Sequence, residues 1–331
     1  MTATTTELTA PRRFSAAGIV ARLGPFIGLI FVLGFFSAMR PHSFPTSGTM
    51  QFILVHATVV ITAALGATMV IISGGIDLSV ASNIALCTVI AAVVIRDTHS
   101  PMISAAAAVA VSTCVGLLIG VLITSLKLPP FIVTLGMWGG VRGAAKYFAD
   151  DATVYVHNGD LHYWLNDLLW PPKAHWIIFP TGVWLMLLLC LIIAAVLRYT
   201  RFGRHIFAIG SNEQTARLCG VPVNRTKIII YAAAGALAGI AGLMQFSDLS
   251  QGDPTTANGM ELDIIAAVVI GGASLNGGRG TVLGTIIGSL IMKSVDNGCT
   301  QMQVKNSVEQ MITGSIIVIA CWLDAMVHQR D

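Results

Sequence analysis

Few residues in this chain have the type and spacing for chemistry. The segment GASLNGGRG at 272–280 has Gly272 and Gly277 at the spacing of a phosphate-binding loop, but Gly278 and Arg279 stand where a lysine and a hydroxyl residue are needed. Without the lysine and the magnesium-binding hydroxyl, nucleotide binding by the chain itself is not expected, and the glycines read as a tight turn. Asp77 lies in SGGIDLSVAS, with Ser73, Gly74, Gly75 and Ser79 beside it. A carboxylate inside an apolar run costs about 2.5–3.5 kcal/mol on insertion scales, so it either caps the helix that follows or takes part in gating or coupling. Arg142, Lys146 and Asp150 are spaced by four and share a helix face, as an interfacial stripe in which Asp150 neutralises a base or as the lining of an outer vestibule. Glu261 and Asp263 open an apolar run, where acids suit the positive end of a helix dipole or a place on a pathway. HExxH and CxxC pairs are absent and the six Cys lie mostly in apolar runs, so neither a metal centre nor a disulfide framework is predicted. No catalytic constellation stands out.

The elements that must position these residues are apolar. Only 11% of the 331 residues are charged and 55% are hydrophobic, with a mean hydropathy of +0.77; a soluble domain carries about 25% charged residues. So few charges cannot form a water-facing shell, so lipid is the expected solvent. A net charge of +3 is too small and dispersed for nucleic acid. Stretches near the length of about 20 residues that crosses a bilayer occur at 23–39, 52–72, 76–95, 101–125, 128–149, 176–197, 226–247, 261–276, 279–295 and 307–327. The expected fold is therefore an all-α membrane protein, a polytopic bundle of about ten transmembrane helices. The second and third stretches are parted only by SGGI and the eighth and ninth only by NG, so each pair could be a broken or re-entrant element. Residues 1–22 read as a cytoplasmic disordered tail and 23–327 as the membrane domain. No A-x-A cleavage site is evident in SAMRPHSFP after the first stretch, which is therefore expected to remain as an uncleaved helix. Four GxxxG pairs, Gly116–Gly120, Gly136–Gly140, Gly235–Gly239 and Gly284–Gly288, make notches for close helix packing.

Positively charged loops stay in the cytoplasm. With the N-terminus inside, twelve of the 19 bases fall on the cytoplasmic side, six of them between 198 and 227. Both termini are then cytoplasmic, and the segment at 150–175 is an outer loop. In the basic loop at 198–225, Ser211 or Asn212 can cap a short helix through Glu213, Gln214, Thr215, Ala216 and Arg217, which Gly220 ends and Pro222 keeps from continuing. Such an element is either a docking helix or a turn.

Four segments in order, MVIISGGIDLSVAS at 69–82, PPFIVTLGMWGGVRG at 129–143, TRFGRHIFAIGSNEQTARLCGVPVNRTKIIIY at 200–231 and ELDIIAAVVIGGASLNGGRGTVLGTIIG at 261–288, resemble the membrane permease subunit of bacterial carbohydrate ABC importers, the ribose, xylose and arabinose permeases among them. The resemblance spans roughly 50–330. It implies a ten-helix permease in the bacterial inner membrane that pairs with a second permease subunit, likewise this chain in a homodimer. It also implies a cytoplasmic ATP-binding subunit carrying the ATP and Mg, and a periplasmic sugar-binding protein, with no cofactor on this chain. On that likeness the Gly210–Val221 loop is the coupling helix, and Gln214–Gly220 is similar to the EAAxxxG spacing of importer permeases, with Gln214 and Thr215 departing from it. Ala81 replaces the usual glycine of GGIDLSVGS, Met260 replaces a bulky aromatic, and 42–60 matches poorly; these departures bear on the sugar more than on the transport class. The implied activity is ATP-driven uptake of a pentose, hexose or related polyol. An ion-coupled secondary transporter of a small polar solute is the alternative, although it calls for mid-span carboxylates and only Asp77 lies between apolar runs.

Overall fold

The computed structural model describes residues 16–156 and 179–328. Five helices come first: α1 (Ala16–Met39), α2 (Ser47–Ile72), α3 (Val80–Thr98), α4 (Pro101–Leu126) and α5 (Pro130–Phe148). A two-residue strand, β1 (Val154–Tyr155), precedes α6 (Thr181–Tyr199), the short α7 (Arg201–Ser211) and α8 (Glu213–Leu218), and the long α9 (Val223–Leu249). β2 (Gln251–Gly252) pairs antiparallel with β1, and α10 (Met260–Ile270), α11 (Val282–Gln301) and α12 (Asn306–His328) follow.

α2 is the axis of the bundle. Its start is fixed by Thr46, whose hydroxyl accepts from the Thr49 N–H at 3.2 Å. Every residue from Ala57 to Ile72 is buried, as expected of a helix apolar on all sides that neighbours enclose completely. Its threonines return their hydroxyls to carbonyls one turn back, and Thr68 also pairs with Thr285 of α11 at 2.7 Å, so no polar group there is lost to the apolar interior. α9 packs along α4, α2 and α3. The α4 and α9 notches face one another: a Cβ on Gly235 would lie 3.0 Å from the Gly116 Cα, and one on Gly116 would collide with the Tyr231 carbonyl oxygen. Gly284 and Gly288 press on Gly271 and Ala267 of α10. Three of the four GxxxG pairs thus pack within the chain, whereas Gly136 and Gly140 of α5 have open space where a Cβ would stand, as do Gly139 and Gly143.

The chain is a polytopic helical membrane protein. Among the described residues five helices, α2, α3, α4, α6 and α9, are long and apolar enough to cross a membrane, against the ten stretches read from the sequence. The boundaries of the expected stretches shift at the glycines. The second stretch ends at Ile72 and α3 begins only at Val80, while the eighth stops at Ile270 and α11 starts at Val282. Backbone turns with positive φ at Gly74, Gly272, Gly277 and Gly278 end the helices there. α10, with 11 residues, spans about 16 Å at 1.5 Å per residue. α1 begins at Ala16, inside the stretch expected as tail, and its apolar part, Leu23–Met39, is short. Most of the expected outer loop at 150–175 and residues 1–15 lie outside the described residues.

The turns sort to two ends of the bundle. At one end the α2–α3 break, the α4–α5 turn, α7, α8 and the α10–α11 loop come together. At the other, Arg142 reaches the loop after β2, His56 lies 3.9 Å from Asp248, and Gln301 donates to Thr49 at 3.2 Å.

Candidate functional site

The six-residue α8 projects from the first of these ends. Asn212 is its N-cap, the side-chain oxygen accepting from the Thr215 N–H at 2.8 Å. Glu213 opens the helix, where the dipole favours an acid. The turn is closed by the Gly220 N–H donating to Arg217 O at 3.1 Å and the Val221 N–H to Ala216 O at 3.0 Å. Gly220 has φ +82, a conformation that glycine adopts without strain. Of the two expected caps, Ser211 instead ends α7.

Glu213 braces the loop. One oxygen accepts from Arg217 at 3.1 Å and the other from Lys227 of α9 at 2.7 Å, while Arg217 also reaches Asn224 at 3.3 Å. Partial burial pushes the Glu213 carboxyl upward, but the Lys227 and Arg217 cations outweigh that and hold it below the usual glutamate range. On the inner face Ala216 is buried against Ile209 and Val223. On the outer face Gln214, Thr215, Arg217 and Cys219 are exposed, and Leu218 is 88% exposed. Leu218 was not among the candidates read from the sequence; its signal was an apolar residue on a capped polar helix. A cavity of about 650 Å³ separates α8 from the α4–α5 turn, with Lys127, Pro129, Pro130, Glu213, Arg217 and Lys227 among its walls.

α7 was also missed, although Thr200 caps it by accepting from the Gly203 N–H at 3.1 Å and its buried Gly203, Ile206 and Ile209 recur at helical spacing. It carries α8 onto the bundle. Gly210 abuts the Ile72 carbonyl at the end of α2, and its Cβ would lie 2.5 Å from the Gly278 nitrogen. The Gly278 N–H donates to that same Ile72 carbonyl at 2.8 Å. A Cβ on Gly277 would lie 2.8 Å from Gly210 O and 3.0 Å from Gly74 N. The turns at Gly74 and Gly277–Gly278 and the helical Gly210 therefore meet backbone to backbone, where a Cβ on Gly210 or Gly277 would collide.

Within the α2–α3 break, the Ser73 hydroxyl donates to Val70 O at 2.7 Å, and the Gly74 and Gly75 N–H groups donate to Ile71 O and Val70 O at 2.9 and 3.0 Å. Thr134 of α5 donates to Ile76 O at 3.0 Å. Asp77 does not cap α3 directly. Its Oδ1 accepts from the N–H and hydroxyl of Ser79, at 2.8 and 2.6 Å, and Ser79 is the residue at the cap. The acid shapes the turn rather than the helix's first bonds because the break is longer than SGGI.

Arg142, Glu261 and Asp263 belong to the opposite end. Arg142 donates through Nη1 to Pro254 O at 2.9 Å and Thr256 O at 2.7 Å, pinning the loop between β2 and α10. The expected stripe with Lys146 and Asp150 does not form, because α5 ends at Phe148 and Asp150 turns away with φ +49. Glu261 is buried and, with Asp263, lies in the first turn of α10, whose N-cap is Gly259. The candidate residues thus form two clusters, 73–77 with 210–220 at one end and 142 with 261–263 at the other. Among the described residues no group of His, Cys, Asp and Glu is placed to hold a metal ion. In the first cluster an exposed, braced helix is joined through Gly210 to the backbone at the end of α2.

Residues 49–321 match a family described as branched-chain amino acid transport system / permease component. The ribose import permease protein RbsC of Escherichia coli (strain K12) is 34% identical over 97% of this chain and 98% of its own. The protein of the same description from Bacillus subtilis (strain 168) is 34% identical over 96% of each. The L-arabinose ABC transporter permease protein AraH of Azospirillum brasilense is 33% identical over 85% of this chain and 81% of its own. No solved structure matches the chain.

Proposed function

The chain belongs to this permease family, as the multi-pass membrane subunit of an ABC importer and not its ATPase, and we propose that its cargo is a monosaccharide, a pentose such as ribose or arabinose or a related sugar or polyol. The relatives named for ribose and L-arabinose support that class over nearly the whole length. The observation that carries the mechanism is α8: a capped helix, held by Glu213 to Arg217 and Lys227, presenting an exposed Leu218 and continuing without a flexible linker into the glycine junction. A cytoplasmic ATP-binding subunit, which carries the ATP and Mg, receives α8 in a groove, and its closure on nucleotide moves the end of α2. The six bases between 198 and 227 support a cytoplasmic position for that end and for both termini. The open glycine face of α5, Gly136 to Gly143, suits close approach of a second copy in a homodimer, with the sugar path between the two. Cargo arrives from a periplasmic binding protein at the end that holds Arg142 and Glu261, so the path itself needs only weak sites.

The test is reconstitution of permease, ATPase and binding protein in liposomes. ATP-dependent uptake of ribose, arabinose or xylose is expected, with none in the absence of ATP. Uptake that follows a proton or sodium gradient and ignores ATP would replace this reading with ion-coupled transport.

A further inference from the structure

Tyr231 is 2% exposed, and its hydroxyl has no hydrogen-bond partner among the described residues. A buried phenol normally finds one. The hydroxyl is aimed at the α2–α3 break, since a Cβ on Gly75 would lie 2.5 Å from it; glycine at 75 leaves room for the tip of the ring. Two residues further along the same break lies the buried Asp77. Asp77 meets both Ser79 donors with Oδ1 alone, whereas a carboxylate offers about four lone-pair sites on its two oxygens.

The two partners are held differently. Tyr231 is fixed to α4: a Cβ on Gly116 would collide with its carbonyl oxygen, and one on Gly120 would lie 3.3 Å from its Cβ. The break, in contrast, contains Gly74 at φ +80 followed by Gly75, and takes part in the junction with Gly210, Gly277 and Gly278. Only Ser211 and Asn212 separate that junction from α8. Movement of α8 therefore reaches the break while the phenol stays with α4.

Resting on the permease reading above, we propose that Tyr231 is a positioning residue of the coupling step: in the alternate state of the cycle its hydroxyl donates to the Asp77 carboxylate and latches the break in a second arrangement. In the present state the hydroxyl faces Gly75 and has no hydrogen-bond partner among the described residues.

The test is Tyr231→Phe in the reconstituted complex. It removes an oxygen that has no protein partner in this state, so yield and thermal transition are expected to match or exceed the wild type. ATP-dependent uptake should fall roughly tenfold, the loss of one hydrogen bond from one of two states. ATP hydrolysis without binding protein should be unchanged, so that fewer sugars enter per ATP. Asp77→Asn, which keeps an acceptor oxygen for the two Ser79 donors, should show the same loss, and the double variant no more than either single change. Wild-type uptake rates with Tyr231→Phe, or losses that multiply in the double variant, overturn the latch. Absence of uptake by the wild type in the same vesicles would instead overturn the permease reading.

Discussion

Replacing Leu218 by alanine tests the proposed docking helix at a residue that is exposed in the isolated chain. Leu218 is 88% exposed at the end of α8 and faces away from the buried Ala216. Truncating a side chain this exposed should move the permease's own stability by no more than about 0.5 kcal/mol. In a complex where the ATPase groove covers it, the change removes three carbons from a buried contact, about 2 kcal/mol at roughly 0.8 kcal/mol per methylene. That corresponds to about a thirtyfold weaker association. The assay is titration of purified permease with the ATPase subunit, alongside thermal unfolding of the permease alone. An unchanged Kd with an unchanged melting temperature refutes the docking assignment for this face. A weaker Kd accompanied by a large loss of stability refutes the premise that Leu218 is dispensable to the fold.

Other perturbations follow from the same geometry. Gly210→Ala places a methyl against the Ile72 carbonyl and 2.5 Å from the Gly278 nitrogen; the overpacking and the strained hydrogen bond together cost about 2–4 kcal/mol, read as a lower melting temperature and loss of stimulation of ATP hydrolysis by the binding protein. Gly116→Leu should separate α4 from α9, where no side chain fits against the Tyr231 carbonyl and the Gly235 Cα, and should reduce the yield of folded protein more than Gly136→Leu does in the unpaired chain. The Glu213 carboxyl is held below its ordinary value of about 4.5, so its brace is fully present above that pH and is lost as pH falls through the lowered folded value. Because the pair is largely exposed, the effect is at most about 1 kcal/mol; proteolysis of the 211–221 loop should rise at acid pH in the wild type and be flat in Glu213→Gln. Arg142→Met frees the Pro254 and Thr256 carbonyls and should raise hydrogen exchange in 253–259 without changing affinity for the ATPase.

Local signals carried much of the site. The cap at Asn212, the helix through Arg217 and the stop at Gly220 and Pro222 were legible because capping depends on side chains within a few residues of the backbone groups they satisfy. Asp77 was legible as a residue needing a reason, but its actual bonds depend on a break that runs to Ser79. The stripe of Arg142, Lys146 and Asp150 failed where a helical period was carried past the end of α5. The boundaries of the expected stretches overran at 73–79 and 271–281, since hydropathy averages over glycine turns that backbone conformation does not.

By itself the sequence determined the solvent, the helical class, the basic end and the transport family, because each of these is set by composition, by charge along the chain or by short motifs. Only the tertiary structure decided that Gly74, Gly210, Gly277 and Gly278 form one junction, that three GxxxG notches close within the chain while the one on α5 stays open, and that the Tyr231 hydroxyl faces Gly75 with no partner among the described residues. These are contacts between residues up to about two hundred positions apart. No local pattern encodes them, because a glycine's small size shows its use only when the backbone that fills the space is present.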